Sequence, residues 1–150
     1  MKMEPTLKQL REDEGERRLP YTDTVGKLTI GVGFNLTDVG LEPEEIDFIL
    51  RRRVGHLVYY LGQVLPWFSR LDDVRQAVLV NMAYNLGPEP FDHDGFKDWP
   101  IFLSQIEQSR YAEAAANMLS TKWARQVGRR AARLAEMMRT GNWPKELEVT

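Results

Sequence analysis

The 150-residue sequence has no cysteine, which excludes disulfide staples and thiolate metal sites. Histidine is almost as scarce: His56 and His93 are the only two, too few for a histidine-based metal cluster. Long apolar runs are missing, since no window approaches the roughly 18 residues of a membrane span. The start, MKMEPTLKQLREDEGERR, lacks the apolar stretch of a signal peptide. The expectation is a chain made in a cytoplasm with no visible export signal. Strong net charge is lacking too. Twenty basic residues against 22 acidic ones leave −2, which argues against nucleic acid as a partner. Repeats, low-complexity tracts and flexible linkers are absent.

What is present is an ordinary globular composition, 43% apolar and 28% charged. A chain of this length buries roughly 70% of its unfolded surface, enough for a core without staples. One compact domain, or two small lobes sharing a core, fits. The charge is unevenly spread. Residues 121–139 carry Lys122, Arg125, Arg129, Arg130, Arg133 and Arg139 against the single acid Glu136. Such a run is either a solvated helix face or a surface that attracts an acidic polymer.

Pro5 suits a first helical turn, Leu7 and Leu10 give that helix an apolar face, and Gly15 should stop it after Glu14. In YTDTVGKLTIGVGFNLT, Thr29, Ile30, Val32 and Phe34 favour strand around a turn at residues 25–27, predicting a small hairpin or three-stranded sheet. From Glu44 apolar residues recur at three- and four-residue steps (Ile46, Ile49, Leu50, Leu57, Leu61, Val64, Leu65), bounded by Pro43 and Pro66. That spacing predicts a helix of about 22 residues and about 33 Å, long enough to join two lobes. Residues 71–87 predict a helix apolar nearly all round from Ala77 to Leu86, and so central to a core. Shorter helices are expected near 99–107, 111–119 and 129–139. The layout is α+β, mainly α.

The chemically informative stretch runs from Glu14 to Phe34. It holds an acid at a helix end, a second acid nine residues on (Asp23), and a threonine six further (Thr29). Glycoside hydrolysis needs one carboxylic acid to protonate the leaving oxygen and a second carboxylate to activate water or to attack. The negative end of a helix disfavours ionised Glu14, whereas a nearby cation would favour it. Asp23, in a polar turn, should stay ionised. Gly31 and Gly33 mark either the close approach of a ligand to the backbone or a bulge.

The string DEGERRLPYTDTVGKLTIGVGF resembles the catalytic segment of phage lysozymes. LDDVRQAVLVNMAYNLG resembles their central buried helix, and KWARQVGRRAARLAEMMRTGNW their closing tryptophan- and arginine-rich stretch. The three blocks stand in the family's order. The resemblance implies a lysozyme-like fold: a small β-containing lobe over about 14–50, and a helical lobe over about 1–13 and 66–150. It implies Glu14 as general acid, with Asp23 and Thr29 holding the attacking water, hence inversion. It sets Arg130 opposite Glu14, and puts Asn35, Asn81, Asn85, Asn117 and Trp123 near the sugar-binding cleft. Trp123 equally suits a core, and a helix asparagine a capped or solvated position. The implied partner is bacterial peptidoglycan, met by a monomer in the periplasm, with no cofactor or metal; the routes there are release by a separate holin, carriage in a phage particle or use by a bacterium. Two departures stand out. Phe34 replaces the histidine many relatives carry after Gly-x-Gly, removing any charge pair built on it. The chain is also short between Leu36 and Glu44, so the small lobe should lack a helix or extended loop.

Three competing readings remain. A lytic transglycosylase would cleave the same bond with one Glu, but has no use for the Asp23–Thr29 pair. An inactive wall-binding relative would not need Glu14, Asp23 and Thr29 together. A small helical regulatory protein leaves the glycine-rich Asp-Thr segment unexplained.

Overall fold

In the computed structural model, which describes residues 1–87 and 99–147, helix α1 covers Met3–Glu14 with Pro5 in its first turn. Gly15, at φ 74°, ends it, and the Gly15 N–H closes on the Arg11 carbonyl at 3.0 Å. Three antiparallel strands follow in the order β1-β2-β3: Arg17–Thr22, Leu28–Gly31 and Phe34–Asn35. Tyr21 pairs with Thr29 and Thr22 with Leu28, so the β1–β2 hairpin turns through residues 23–27. On the other side Thr29 pairs with Asn35 and Ile30 with Phe34. Val32, expected in a strand, sits instead in the turn between β2 and β3. The φ values of +65° at Gly31 and +62° at Gly33 allow that turn, and they outweigh the strand preference of a lone valine.

Helix α2 covers Pro43–Val64, 22 residues as its periodicity predicts. The C-terminal half of its apolar stripe enters the core through Leu61, with Leu57 and Val64 packed against it. Ile46, Ile49 and Leu50 remain 41–53% exposed. Helix α3, Asp73–Leu86, starts at Asp72, whose side chain accepts from the Arg75 N–H. It buries Val74, Val78, Leu79, Met82 and Ala83 along one face. The sequence suggests burial all round; instead Tyr84 is half exposed and Asn85 exposed. The central position holds all the same. Leu79 is fully buried, worth roughly 1.5–3 kcal/mol of transfer free energy.

Three expected helices follow: α4 (Trp99–Glu107), α5 (Tyr111–Ser120) and, after a short unexpected one, α7 (Arg129–Thr140). The extra element is α6, Lys122–Val127, capped by Thr121, whose Oγ1 accepts from the Ala124 N–H at 3.1 Å. Six residues make less than two turns, too few to generate a readable period. Gly128 then separates α6 from α7. Small residues let α5 and α7 pack closely: Ala114 and Ala115 on one helix, Ala131 and Ala135 on the other, all buried.

The chain divides into two compact units, Met1–Ile49 and Leu50–Thr150. The first contains the sheet together with α1, a segment the sequence groups with the helical lobe. The second contains the apolar core, from Leu61 to Met138. Among the described residues no helix is long and apolar enough to cross a membrane, and no cluster of potential metal ligands occurs. His93 lies outside the described residues.

Candidate active site

In the first unit, the β1–β2 turn is built around Asp23. Its Oδ1 accepts from the Val25 N–H at 3.0 Å and from the Lys27 N–H at 2.8 Å. The Asp23 N–H donates to the Lys27 carbonyl at 2.9 Å, and the Gly26 N–H returns to the Asp23 carbonyl at 3.1 Å. An aspartate commonly closes a turn in this way, by accepting N–H groups from residues further along the chain. Oδ2 is left without a partner among the described residues, and the side chain is half-buried.

Thr29 lies on the central strand and is 3% exposed. Its hydroxyl donates to the same Lys27 carbonyl, at 3.2 Å. The Lys27 backbone therefore ties the two residues together: its N–H donates to the Asp23 carboxylate and its carbonyl accepts a hydrogen bond from the Thr29 hydroxyl. With its hydrogen committed, Thr29 Oγ1 presents only lone pairs. The Lys27 side chain turns away and pairs with Asp38 at 3.0 Å. Asn35, on β3, is also held by Asp38. Asn35 Nδ2 donates to Asp38 Oδ2, and the Asp38 N–H donates back to Asn35 Oδ1, both at 3.0 Å.

Glu14 is the last residue of α1 and is exposed. Its carboxyl group lies against the α-carbon of Gly33, in the β2–β3 turn. A side-chain carbon at position 33 would fall 2.6 Å from Glu14 Oε2 and 3.0 Å from Cδ. The first unit thus carries Glu14 at the end of α1, Asp23 in the β1–β2 turn and Thr29 on β2, with the Glu14 carboxyl against the turn that follows β2.

In the second unit Arg130 donates from Nε to Asn81 Oδ1 at 2.9 Å and from a terminal nitrogen to the Asn81 carbonyl at 3.1 Å. Asn85, one helical turn after Asn81, accepts from the Trp123 indole N–H at 2.9 Å. Trp123 itself is 5% exposed and meets Trp99 edge-on at 6.3 Å, so its ring belongs to the core and reaches the surface through Asn85. Asn117 Nδ2 donates to Gln105 Oε1 at 3.2 Å. That pair lines an open hollow of about 550 Å³ with Ile101, Ala116, Ser120 and Thr121. Sequence reading misses Gln105, because a glutamine on a short helix carries no spacing signal. It overlooks Lys27 for a different reason: the backbone of that residue acts, not its side chain.

A profile of phage lysozyme matches residues 11–139, a span that includes the sheet, both hairpin turns and nearly all of the helical unit. Two proteins of Dictyostelium discoideum, "Probable T4-type lysozyme 1" and "Probable T4-type lysozyme 2", are 25% and 28% identical to the chain. Each alignment covers 88% of this chain and 92% of the relative. With the mainly helical α+β fold, these matches define a glycoside hydrolase of the muramidase class. The chain belongs to the phage lysozyme family.

Proposed function

We propose that the enzyme hydrolyses the β-1,4 bond between N-acetylmuramic acid and N-acetylglucosamine in bacterial peptidoglycan, with inversion, and so lyses the wall. Glu14 protonates the glycosidic oxygen as the bond to the anomeric carbon breaks. A water attacks that carbon from the opposite face and gives its proton to Asp23. Exchange with solvent then restores the proton on Glu14 and removes the one on Asp23. The observation that carries this reading is the shared Lys27 peptide. It leaves Asp23 Oδ2, on the β1–β2 turn, and Thr29 Oγ1, on the strand that follows, as two acceptors tied to the same residue. A water that donates one hydrogen to each has its lone pairs turned outward, toward a substrate. Holding the nucleophile in line in this way is a main source of rate in such reactions.

The role proposed with this activity is that of an endolysin made in a host cytoplasm, passed to the periplasm with a holin's help and acting as a monomer. Mass spectrometry of fragments released from purified peptidoglycan tests the reaction. Reducing N-acetylmuramic acid ends are expected, with the α-anomer seen first by NMR. Anhydro ends would make the enzyme a transglycosylase instead. Glu14→Gln keeps the shape of the side chain but not its acid, so lysis should fall at least about 10²-fold with the fold intact. Wild-type turnover in a folded Glu14→Gln variant would remove Glu14 from its role.

A further inference from the structure

We propose that Gly33 is a positioning residue for the acid, and that it is glycine because the Glu14 carboxyl group occupies the space its side chain would need. This inference rests on the reading of Glu14 as general acid. The end of β2 and the turn that follows it contain two glycines with nearly the same positive φ, +65° at Gly31 and +62° at Gly33. Backbone freedom explains a glycine at both positions equally. Their surroundings differ. A side-chain carbon on Gly31 would meet nothing within 4 Å. One on Gly33 would lie 2.6 Å from Glu14 Oε2, 3.0 Å from Cδ and 3.2 Å from Cγ. Non-bonded carbons and oxygens do not approach so closely, so an alanine at position 33 must push the carboxyl group aside.

The consequence for the fold and the consequence for the chemistry then separate. Glu14 ends its helix and is exposed, so its side chain has room to swing away with little disturbance to the sheet. The acid, however, would no longer stand where it does now. A proton donor displaced by about 1 Å loses on the order of 10²-fold in rate. The strand that carries Thr29, β2, therefore leads directly into the turn whose Gly33 seats the acid.

The test compares Gly33→Ala with Gly31→Ala, which puts a side chain on a similar positive φ at the end of β2 without meeting Glu14. Gly33→Ala should lower kcat about 10²-fold while KM stays within about threefold, because binding does not depend on the acid's position. Gly31→Ala should lower the melting temperature by a similar amount, yet lower kcat at least tenfold less. Equal losses of kcat in the two variants would reduce Gly33 to a turn residue and overturn the proposal. A second measurement is independent of activity. In the wild-type protein the Gly33 amide signal should follow the titration of Glu14 by NMR, and this dependence should vanish in Glu14→Gln. A Gly33 signal that ignores Glu14 overturns the seating even if Gly33→Ala fails to fold. If instead the signal follows Glu14 but Glu14→Gln remains active, the seat is real and the acid assignment is what fails.

Discussion

Thr29 is buried on a strand, so its hydroxyl either serves the fold or serves the chemistry, and its hydrogen bonds decide which can be lost. The Lys27 carbonyl accepts from Thr29 Oγ1 but also from the Asp23 N–H. Removing the hydroxyl leaves that carbonyl satisfied, so Thr29→Val should fold, with a melting temperature within a few degrees of wild type. Its turnover should nevertheless drop about 10²-fold through the lost water acceptor. Normal lysis by Thr29→Val would leave Asp23 as the sole water-holding residue. Thr29→Glu would put a carboxylate where the water is held, and should accumulate a covalent sugar adduct visible in the intact-protein mass. At this scale the sequence is most informative where side chains do the work. Glu14, Asp23 and Thr29, the proposed catalytic triplet, are picked out by spacing once their string is matched to a known family. What stays hidden is carried by backbone, namely the Lys27 peptide and the bare α-carbon of Gly33, because no residue type announces it.

Elements read well from sequence when they are long and end on a residue with a local reason to stop. Gly15 ends α1, Pro43 opens α2, and Asp72 caps α3. Periodicity misses α6, which is too short, and overstates the burial of α3, whose apolar residues outnumber the core positions available to it. The caps also join elements. Arg75 pairs with Asp72 at 2.6 Å, donates to the Met138 carbonyl at 2.8 Å at the end of α7, and stacks 3.7 Å from the Tyr111 ring. Burial alone would raise the Asp72 pKa, but hydrogen bonds from the Arg75 backbone and side chain, with its charge, hold it below the ordinary value. A depressed carboxylate pKa contributes stability that is complete above the unfolded value, about pH 4, and lost as pH falls through the folded one. Asp72→Asn keeps a capping side chain but not the charge. Its melting temperature should lie below wild type at pH 7, with the gap closing below about pH 4; a gap that ignores pH would discount the ion pair. On α6 and α7, Lys122, Arg125, Arg129 and Arg133 are exposed and take no ion pair among the described residues. If this face holds the enzyme on an acidic wall, binding to insoluble peptidoglycan should weaken steeply between about 50 and 200 mM salt. The slope should flatten in an Arg125, Arg129, Arg133→Gln triple variant. Salt-independent binding by the wild type would make the run a solvated face.

Across the whole molecule, burial and chemistry are unequally divided. The apolar core, from Leu61 to Met138, belongs to the second unit, whereas among the described residues of the first unit Thr29 alone is buried. The first unit is held chiefly by its strand pairing, its turns and surface ion pairs such as Arg11–Glu16, each of small net worth. Composition and length do not betray this asymmetry, because they average over both units. Local stability follows local burial, and regions that bind ligands tend to come from the less stable end. The amides of β1, β2 and β3 should therefore exchange hydrogen through openings of lower free energy than those of α3, α5 and α7. Glu14→Gln provides a form that binds peptidoglycan fragments without turning them over. Adding such a fragment to it should slow exchange in the sheet by more than in the helical core, since a ligand held by residues of the first unit stabilises the states in which that unit is closed. Native-state hydrogen exchange read residue by residue checks both statements. Protection that is uniform across the chain, or a fragment that slows only the helical core, would show that the catalytic candidates do not sit on the more readily opened part of the enzyme.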